Sequence, residues 1–223
     1  LPKDDVRRRL TGYYATDVSD ASGMLLLDVG RRKWSTKLMG KLDLDVDLFG
    51  EVFESEDVTG TLTKKSARLL GLSTECLVVG GAGDCAANAL GTGVVRSGIV
   101  STSIGTSGVT FVHSDKMQFD KQGRLHTFCH AVRGKWHMMG VNLCAGGSLQ
   151  WFADNLATAG KSNIFQTMNR AAAKVNVGSD GLFFLPYLAG ERTPHCDPYA
   201  RGCFIGLTMS HSQGHMVRSI MEG

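Results

Sequence analysis

The chain has 223 residues, of which 43% are hydrophobic and 20% are charged, and its formal net charge is +3. This length suits one large domain or two small ones with a sizeable buried core, and the composition is that of a globular protein. Nucleic-acid binding is not expected, because the one basic run, Arg7-Arg8-Arg9, has no interleaved aromatic residues. A membrane span is not expected either, because no apolar run approaches the ~18 residues that a span requires.

The spacing and surroundings of the six cysteines bear on the redox state of the compartment in which the protein is expected. They contain no Cys-x-x-Cys pair, and most lie in apolar or Gly-rich surroundings: Cys76, Cys85, Cys129, Cys144, Cys196 and Cys203. This pattern favours reduced, packed thiols in the cytoplasm over a disulfide framework or a zinc site. The chain also begins at Leu1 without Met and stops inside an unfinished helical pattern, which indicates a piece of a longer protein.

The N-terminal part of the chain predicts short helices and strands. The expected elements are a helix over 2–10, a turn-rich loop over 16–23, a strand over 24–29, a helix over 34–42 and a helix over 64–70. Pro2 in the first turn and Gly12 after the last support the first helix. Gly71 is a suitable C-terminal cap for the helix that ends at Leu70.

The stretch from Thr74 to Gly108 contains the two glycine turns on which the predicted functional site depends. It contains a buried strand over 77–79, a glycine turn over 80–83, a small-residue helix over 84–90, a strand over 98–102 and a second turn over 103–108. Both turns combine Gly with Asp, Ser or Thr, which lets backbone N–H groups approach a polyanion. A folded sheet could bring the two turns together. Neither turn fits the Walker pattern or the dinucleotide-binding Gly-x-Gly-x-x-Gly pattern.

Asp84 lies where the first turn becomes a helix. An Asp at such a junction can cap the helix, which is worth about 1 kcal/mol. It can also face a substrate. The residues alone leave both readings open.

The C-terminal part predicts further strands and helices. Strands are expected over 109–113, 126–132, 135–141 and 182–185, and helices over 145–157, over 164–175 and from about Gln213 onward. Gly134 lies in the short connection of a predicted hairpin. Residues 186–199 are expected to form a long irregular loop. Helices mixed with hairpin-like strands favour an α/β fold with a mixed sheet.

Several motifs occur in a recognisable order. They are TDVSDASGMLLLDV, GGAGDCAANALGTG, STSIGTSG, CAGGSLQW, LPYLAGERTPH and the C-terminal pattern from Gly202 to Glu222. On these motifs the whole chain resembles the FGGY family of carbohydrate kinases, most closely its xylulokinase branch. The resemblance implies an actin-like (ribonuclease-H-like) ATPase fold. Residues 1–76 would end the sugar-binding N-terminal domain, and residues 77–223 would begin the nucleotide-binding C-terminal domain.

The resemblance also implies an activity. ATP, with Mg²⁺ carried in as its counterion, would phosphorylate a sugar hydroxyl, converting D-xylulose to D-xylulose 5-phosphate. Asp84 would be the general base, and Asp84 and Cys85 would contact the sugar. Gly105 and Thr106 would meet the phosphates, and Gly146 and Gln150 would contact the nucleotide. No residue is assigned as a metal ligand, and a homodimer is compatible with the resemblance.

Two departures from the family pattern keep other functions open. Cys85 stands where the branch usually has Asn, and a thiol is a poor hydrogen-bond donor, so another sugar, polyol or sugar acid (ribulose, glycerol, gluconate) could be the substrate. The family's Asp-x-Gly-Thr phosphate loop and its adenine-binding segment lie outside residues 1–223. We therefore expect this polypeptide alone to be inactive. A non-catalytic sugar-binding relative is the third alternative.

Other polar residues have simpler readings. Thr106 could merely stabilise its turn, and Gln150 could be an exposed helix residue. Glu191 and Arg192 predict a structural ion pair. Three histidines on apolar strands, His126, His130 and His137, have no metal-like set of partners, so they are expected to be strand residues with satisfied hydrogen bonds. Trp136 and Trp151 are expected in the core.

Overall fold

The computed structural model describes residues 1–158 and 163–223. The helices are α1 (Pro2–Thr11), α2 (Val18–Ala21), α3 (Thr36–Lys41), α4 (Lys64–Leu70), α5 (Asp84–Gly91), α6 (Gly146–Asn155), α7 (Ile164–Ala172) and α8 (Gln213–Glu222). The strands are β1 (Ala15–Asp17), β2 (Leu27–Asp28), β3 (Lys33–Trp34), β4 (Glu51–Phe53), β5 (Val58–Thr61), β6 (Leu77–Val79), β7 (Val100–Ile104), β8 (Gly108–Ser114), β9 (His126–Cys129), β10 (Trp136–Asn142), β11 (Phe183–Leu185) and β12 (Cys203–Ile205).

The strands pair in both directions. In the larger sheet the order is β7-β8-β10-β9, with β9 and β10 antiparallel. Strands β1 and β4 pair in parallel, whereas β2 with β3, β5 with β6, and β11 with β12 pair antiparallel. This combination of parallel and antiparallel strands with helices confirms the α/β fold with mixed sheets.

The chain divides into two compact units. The first unit contains residues 1–101, 111–120 and 126–139, and the second contains residues 102–110, 121–125 and 140–223. Buried side chains of α2, β2 and β9 form one core cluster of the first unit, and Ala89, Val94 and Phe111 form another. The core of the second unit is built from helices α6, α7 and α8 and strand β11, around Phe152 and Val217.

Several sequence predictions are confirmed residue by residue. Helix α4 has the predicted bounds, and Gly71 caps it with φ 67°. Gly12 caps α1 with φ 79°. The predicted hairpin is present, with Trp136 paired to Cys129 and Met139 paired to His126. The ends of α1 and α4 are set by local signals, because a glycine readily adopts the positive φ with which many helices end.

Two predictions about the first unit are wrong. Residues 16–23 are not a loop, because the side chain of Asp17 accepts a hydrogen bond from Ser19 N and starts α2 there. Strand β6 forms where predicted but is not buried. Within the described residues it pairs with β5 alone, and Leu77 and Val79 are 61% and 45% exposed.

The strand predicted over 126–132 ends early, at Cys129. The ring Nδ1 of His130 accepts the N–H of Val132 at 3.0 Å, and Lys135 N donates to Val132 O at 3.1 Å, so the chain turns here. A side chain that captures a nearby backbone N–H competes with the sheet for that donor.

All six cysteines are free thiols. Only Cys129 is buried, whereas Cys196 and Cys203 are exposed, so the expectation of packed thiols holds for Cys129 and is wrong for the other two. Across residues 1–158 and 163–223, no helix combines the length and the apolar character needed to cross a membrane.

Candidate functional site

Asp84 is the first residue of α5, and Gly83 occupies the N-cap position. Asp84 therefore does not cap the helix in the expected way. Its Oδ1 accepts the N–H of Cys85 at 2.7 Å, and the residue is exposed. Because one carboxylate can accept about four hydrogen bonds, Asp84 keeps most of its acceptor capacity for a ligand.

The glycine turn before Asp84 is fixed by its own backbone groups. Gly80 N donates to Asp57 O at 2.8 Å, and Gly81 N donates to Ser55 O at 2.9 Å. Gly83 N donates to the hydroxyl of Ser19 at 3.0 Å. With its donors paired in this way, the turn presents Asp84 in a defined position.

Buried charges lie beneath the same turn. Arg7, which is 2% exposed, donates to the carbonyl oxygens of Ala15 and Gly80. Lys3 Nζ lies 2.7 Å from Asp17 Oδ1 and also donates to Gly80 O at 3.2 Å. Asp17 Oδ2 accepts the hydroxyl of Ser19 at 2.5 Å, so the charged groups and the turn form one network.

A cavity of about 110 Å³ adjoins Asp84, and we call it the Asp84 cavity. Its polar lining residues are Ser19, Asp20, Asp84, Cys85 and His137, and its apolar ones include Phe128 and Met139. The structure thus brings Asp84 and Cys85, the two predicted sugar contacts, to one cavity. Burial, followed by the negative charge of Asp84, raises the pKa of the Cys85 thiol, which keeps it protonated.

Two of the three strand histidines differ in their hydrogen bonds. His130 is satisfied as predicted, because its Nε2 lies 3.0 Å from Val94 O and its Nδ1 accepts from Val132 N. His137 contradicts the prediction, because neither ring nitrogen has a hydrogen-bond partner although the residue is 2% exposed. Burial, with a smaller contribution from neighbouring His130, lowers the pKa of His137 from 6.5 to about 3, so this ring is neutral.

The second unit holds a larger cavity of about 550 Å³, the Thr106 cavity. All four predicted nucleotide contacts line it: Gly105, Thr106, Gly146 and Gln150. Trp151 also lines it while packing against the core around Phe152, so Trp151 is not only a core residue.

The turn at the Thr106 cavity is joined to the start of α6. Gly146 N donates to Gly105 O at 2.9 Å, while Ala145 N and Gly147 N donate to Thr106 O at 2.9 and 3.0 Å. A Cβ on Gly146 would lie 2.6 Å from Gly105 O, so only glycine fits there. The N–H groups at the start of α6 are therefore already used by the turn.

Other donors remain open at this turn. Among the described residues, neither the N–H groups of Thr106 and Ser107 nor the Thr106 hydroxyl has a partner. Thr106 therefore does not stabilise the turn through its hydroxyl. Gln150 is exposed, and its Nε2 donates to both carboxylate oxygens of Asp154 at 3.0 Å, which leaves its amide oxygen free for a ligand.

The expected Glu191–Arg192 ion pair does not form. The carboxylate of Glu191, which is 2% exposed, accepts from Asn142 Nδ2, Leu143 N and Arg192 N at 2.9, 3.1 and 2.7 Å. A buried carboxylate can be satisfied by backbone N–H groups instead of a cation. Glu191 thus fixes the backbone that leads toward α6.

Sequence reasoning missed Asp20 and His137 as cavity residues. Asp20 was read as part of a loop, and His137 as an ordinary residue of an apolar strand. The spacing Asp17-x-Ser19, typical of a helix N-cap, was the signal for the helix that carries Asp20. No local pattern could indicate that His137 of β10 lines the same cavity as the start of α5. That the two glycine turns converge stays a prediction.

Comparison with models of protein families identifies the family of the chain. The model of the FGGY family of carbohydrate kinases, N-terminal domain, matches residues 1–91. The model of the same family's C-terminal domain matches residues 100–223. The chain belongs to the FGGY family of carbohydrate kinases. The predicted domain boundary after residue 76 stays a prediction.

Individual relatives of this FGGY chain are sugar and sugar-acid kinases. It is 42% identical over 223 residues to a xylulose kinase from Klebsiella pneumoniae, and covers 45% of that protein. It is 33% identical to a gluconokinase from Bacillus subtilis, of which it covers 44%. A solved structure of a xyloylose kinase from Brucella ovis is 37% identical to this chain and matches it with a TM-score of 0.91. The match covers 100% of this chain and 45% of the chain in that structure. The fold is thus that of the FGGY kinases, the actin-like ATPase fold, and the chain spans about half the length of these relatives.

Replacing Gly80 with Ala should loosen the turn before Asp84. The new Cβ would lie 2.5 Å from Glu54 O, a backbone atom, so the chain must shift. We expect Gly80→Ala to lower the free energy of unfolding by about 1–3 kcal/mol, measured by urea titration. Gly91→Ala is the matched control, because a Cβ there meets nothing within 4 Å. Equal stability of the two variants would contradict this account of the turn.

His137 should make the FGGY chain sensitive to acid. Its pKa of about 3 in the folded state lies below the ordinary 6.5, so between these values the unfolded chain binds more protons and stability falls as pH falls. At pH 5 this cost is roughly 2 kcal/mol. Urea titrations at about pH 7.5 and pH 5 measure the free energy of unfolding at each pH. Between these pH values His137→Phe should lose about 2 kcal/mol less stability than the wild type does. The exposed His195→Gln serves as control, and an equal loss in His137→Phe and wild type would refute the assignment.

Proposed function

We propose that the protein carrying this chain transfers the γ-phosphoryl group of ATP to a hydroxyl of a small sugar, and that D-xylulose is its acceptor. The observation that carries the proposal is the Asp84 cavity, where an exposed carboxylate on a fixed glycine turn adjoins space for a small polar ligand. Membership of the FGGY family and the xylulose kinase relatives support the same activity.

The acceptor chemistry follows from Asp84. An ionised carboxylate only accepts hydrogen bonds, so Asp84 orients the attacking hydroxyl by accepting its proton. As the oxygen forms its bond to phosphorus and the bond to the leaving oxygen of the nucleoside diphosphate breaks, the proton passes to Asp84. The carboxylate must therefore be free of other strong partners, and its one hydrogen bond within the described chain, from Cys85 N, leaves it so.

The donor chemistry follows from the Thr106 cavity. The open N–H groups of Thr106 and Ser107 and the Thr106 hydroxyl supply donors for phosphate oxygens. Gly105 and Gly146 have no side chains to obstruct a phosphate, and the amide oxygen of Gln150 can accept from a nucleotide. Lysines and arginines are absent from the lining of this cavity as the structure describes it, so Mg²⁺ that arrives with ATP would neutralise the phosphate charge.

A second candidate is a kinase for a sugar acid. The gluconokinase relative at 33% identity favours it, and Cys85, a weak donor beside Asp84, allows a changed sugar preference. A cytoplasmic location, assembly as a homodimer and inactivity of residues 1–223 alone stay predictions.

The acceptor is tested by a panel of sugars. ATP consumption by the full-length protein should be fastest with D-xylulose and slower with D-ribulose, gluconate and glycerol. Asp84→Asn should lower kcat by about 10²–10⁴-fold while the unfolding midpoint is unchanged, because Asn cannot accept the proton. Asp47→Asn is the control for an exposed carboxylate elsewhere. Full activity of Asp84→Asn would overturn the proposal, and a preference for gluconate would favour the second candidate.

The donor site is tested by Thr106→Val, which removes the hydroxyl and keeps the shape. We expect kcat/KM for ATP to fall by about tenfold to a hundredfold, as for a lost hydrogen bond to a charged group. The KM for the sugar should stay unchanged. Thr167→Val, on the exposed side of α7, is the matched control. An ATP dependence identical to wild type would place the phosphates elsewhere.

A further inference from the structure

We propose that Asp20 and His137 bind hydroxyl groups of the acceptor sugar other than the reacting one, and so determine which sugar is phosphorylated. The inference rests on the proposed function and assigns two further substrate contacts to the Asp84 cavity. Both residues line that cavity together with Asp84, and both have hydrogen-bonding capacity that the described chain does not use.

Asp20 is a sheltered carboxylate without a close partner. Its side chain is 28% exposed, and its nearest cation, Lys3 Nζ, lies 3.9 Å away because Asp17 holds that ammonium at 2.7 Å. No hydrogen bond reaches the Asp20 carboxylate within the described residues. Burial, opposed by the charge of Lys3, raises its pKa. A hydroxyl donor from a ligand would replace the hydration that burial removes.

His137 is the more deeply buried of the two. Its ring stacks on Phe111 with centroids 4.1 Å apart and meets the edge of Phe128 at 5.6 Å. These contacts hold the imidazole in place. Neither ring nitrogen forms a hydrogen bond of normal geometry, although the backbone of Cys129 lies close enough to oppose the lowering of the His137 pKa. A neutral imidazole offers one donor and one acceptor, which is the pair that a hydroxyl group can complement.

The size and lining of the cavity indicate the class of ligand. Its volume of about 110 Å³ is well below the ~300–1,000 Å³ of pockets that enclose drug-sized molecules. It therefore suits part of a small polyhydroxyl compound. Phe128 and Met139 provide an apolar wall for C–H groups, and Asp20, Asp84 and His137 provide polar groups for hydroxyls.

This arrangement would select strongly among sugars. A site built to hydrogen-bond a hydroxyl rejects an analogue that lacks it, because the buried polar group is then left unpaired. Asp20 is sheltered and His137 is buried, so a sugar that lacks the matching hydroxyl would leave the polar group of either residue unpaired.

The test compares variants of the full-length protein. We expect Asp20→Asn and His137→Phe each to raise the KM for D-xylulose by about tenfold to a hundredfold, with the KM for ATP unchanged. His137→Gln, which keeps a donor and an acceptor, should recover part of the loss. Asp47→Asn and His113→Phe are the matched controls, because His113 is as buried as His137 but does not line the cavity. Urea titration of every variant identifies any that fails to fold.

Deoxy analogues of D-xylulose identify the contacts. Removal of the hydroxyl that Asp20 binds should weaken binding to wild type but not weaken binding to Asp20→Asn any further, and the same logic applies to His137→Phe. Additive losses in both pairs would show that neither residue contacts the missing hydroxyl, and would overturn the inference.

Sugar binding measured by calorimetry without ATP separates this inference from the proposed function. A protein that binds D-xylulose but transfers no phosphate contradicts the proposed function alone. Unchanged sugar affinity in Asp20→Asn and His137→Phe contradicts the inference alone. Failure of the wild-type protein to bind any sugar contradicts both.

Discussion

The carbonyl oxygen of Gly80 is the point at which charged side chains hold the turn before Asp84. Lys3 and Arg7 of α1, which precede Gly80 by 77 and 73 residues, both donate to it. Hydrogen bonds from cations are about twice as strong as neutral ones, but burying the charges costs much of that gain. The network therefore contributes more to the orientation of the turn than to the stability of the fold. It holds the turn in one position, and the position of the turn sets that of Asp84.

The two glycine turns are held by different sets of hydrogen bonds. Backbone groups together with Arg7, Lys3 and Ser19 hold the turn before Asp84, whereas within the described residues the start of α6 holds the turn at Thr106 through backbone hydrogen bonds. The difference has a chemical consequence. Helix N-termini commonly bind phosphate through their free N–H groups, but the first such groups of α6 are already used by Gly105 and Thr106. The donors that remain open there belong to the turn, at Thr106 and Ser107.

The sequence revealed what local rules decide. Gly71 ends a helix by its own conformational freedom, and the motif that precedes α5 was recognisable because glycines and Asp84 are adjacent in the chain. Four of the residues that line the Thr106 cavity, Gly105, Thr106, Gly146 and Gln150, were also predictable, since each lies in a recognisable motif. The exposure of Leu77 and the unpaired ring of His137 could not be predicted from the sequence. Burial depends on what packs over a strand, and no period or propensity encodes that neighbour.

The charge in the Asp84 cavity bears on the choice between a neutral sugar and a sugar acid. Asp20 and Asp84 are both acidic, and the Cys85 thiol, which its raised pKa keeps neutral, adds no charge to the cavity. A carboxylate on the ligand would meet like charge in a partly sheltered space, where electrostatic repulsion is stronger than in water. Neutral hydroxyls meet acceptors instead. Under the proposed function, these two carboxylates favour an uncharged sugar, and a sugar acid could enter only with its own carboxylate held away from them.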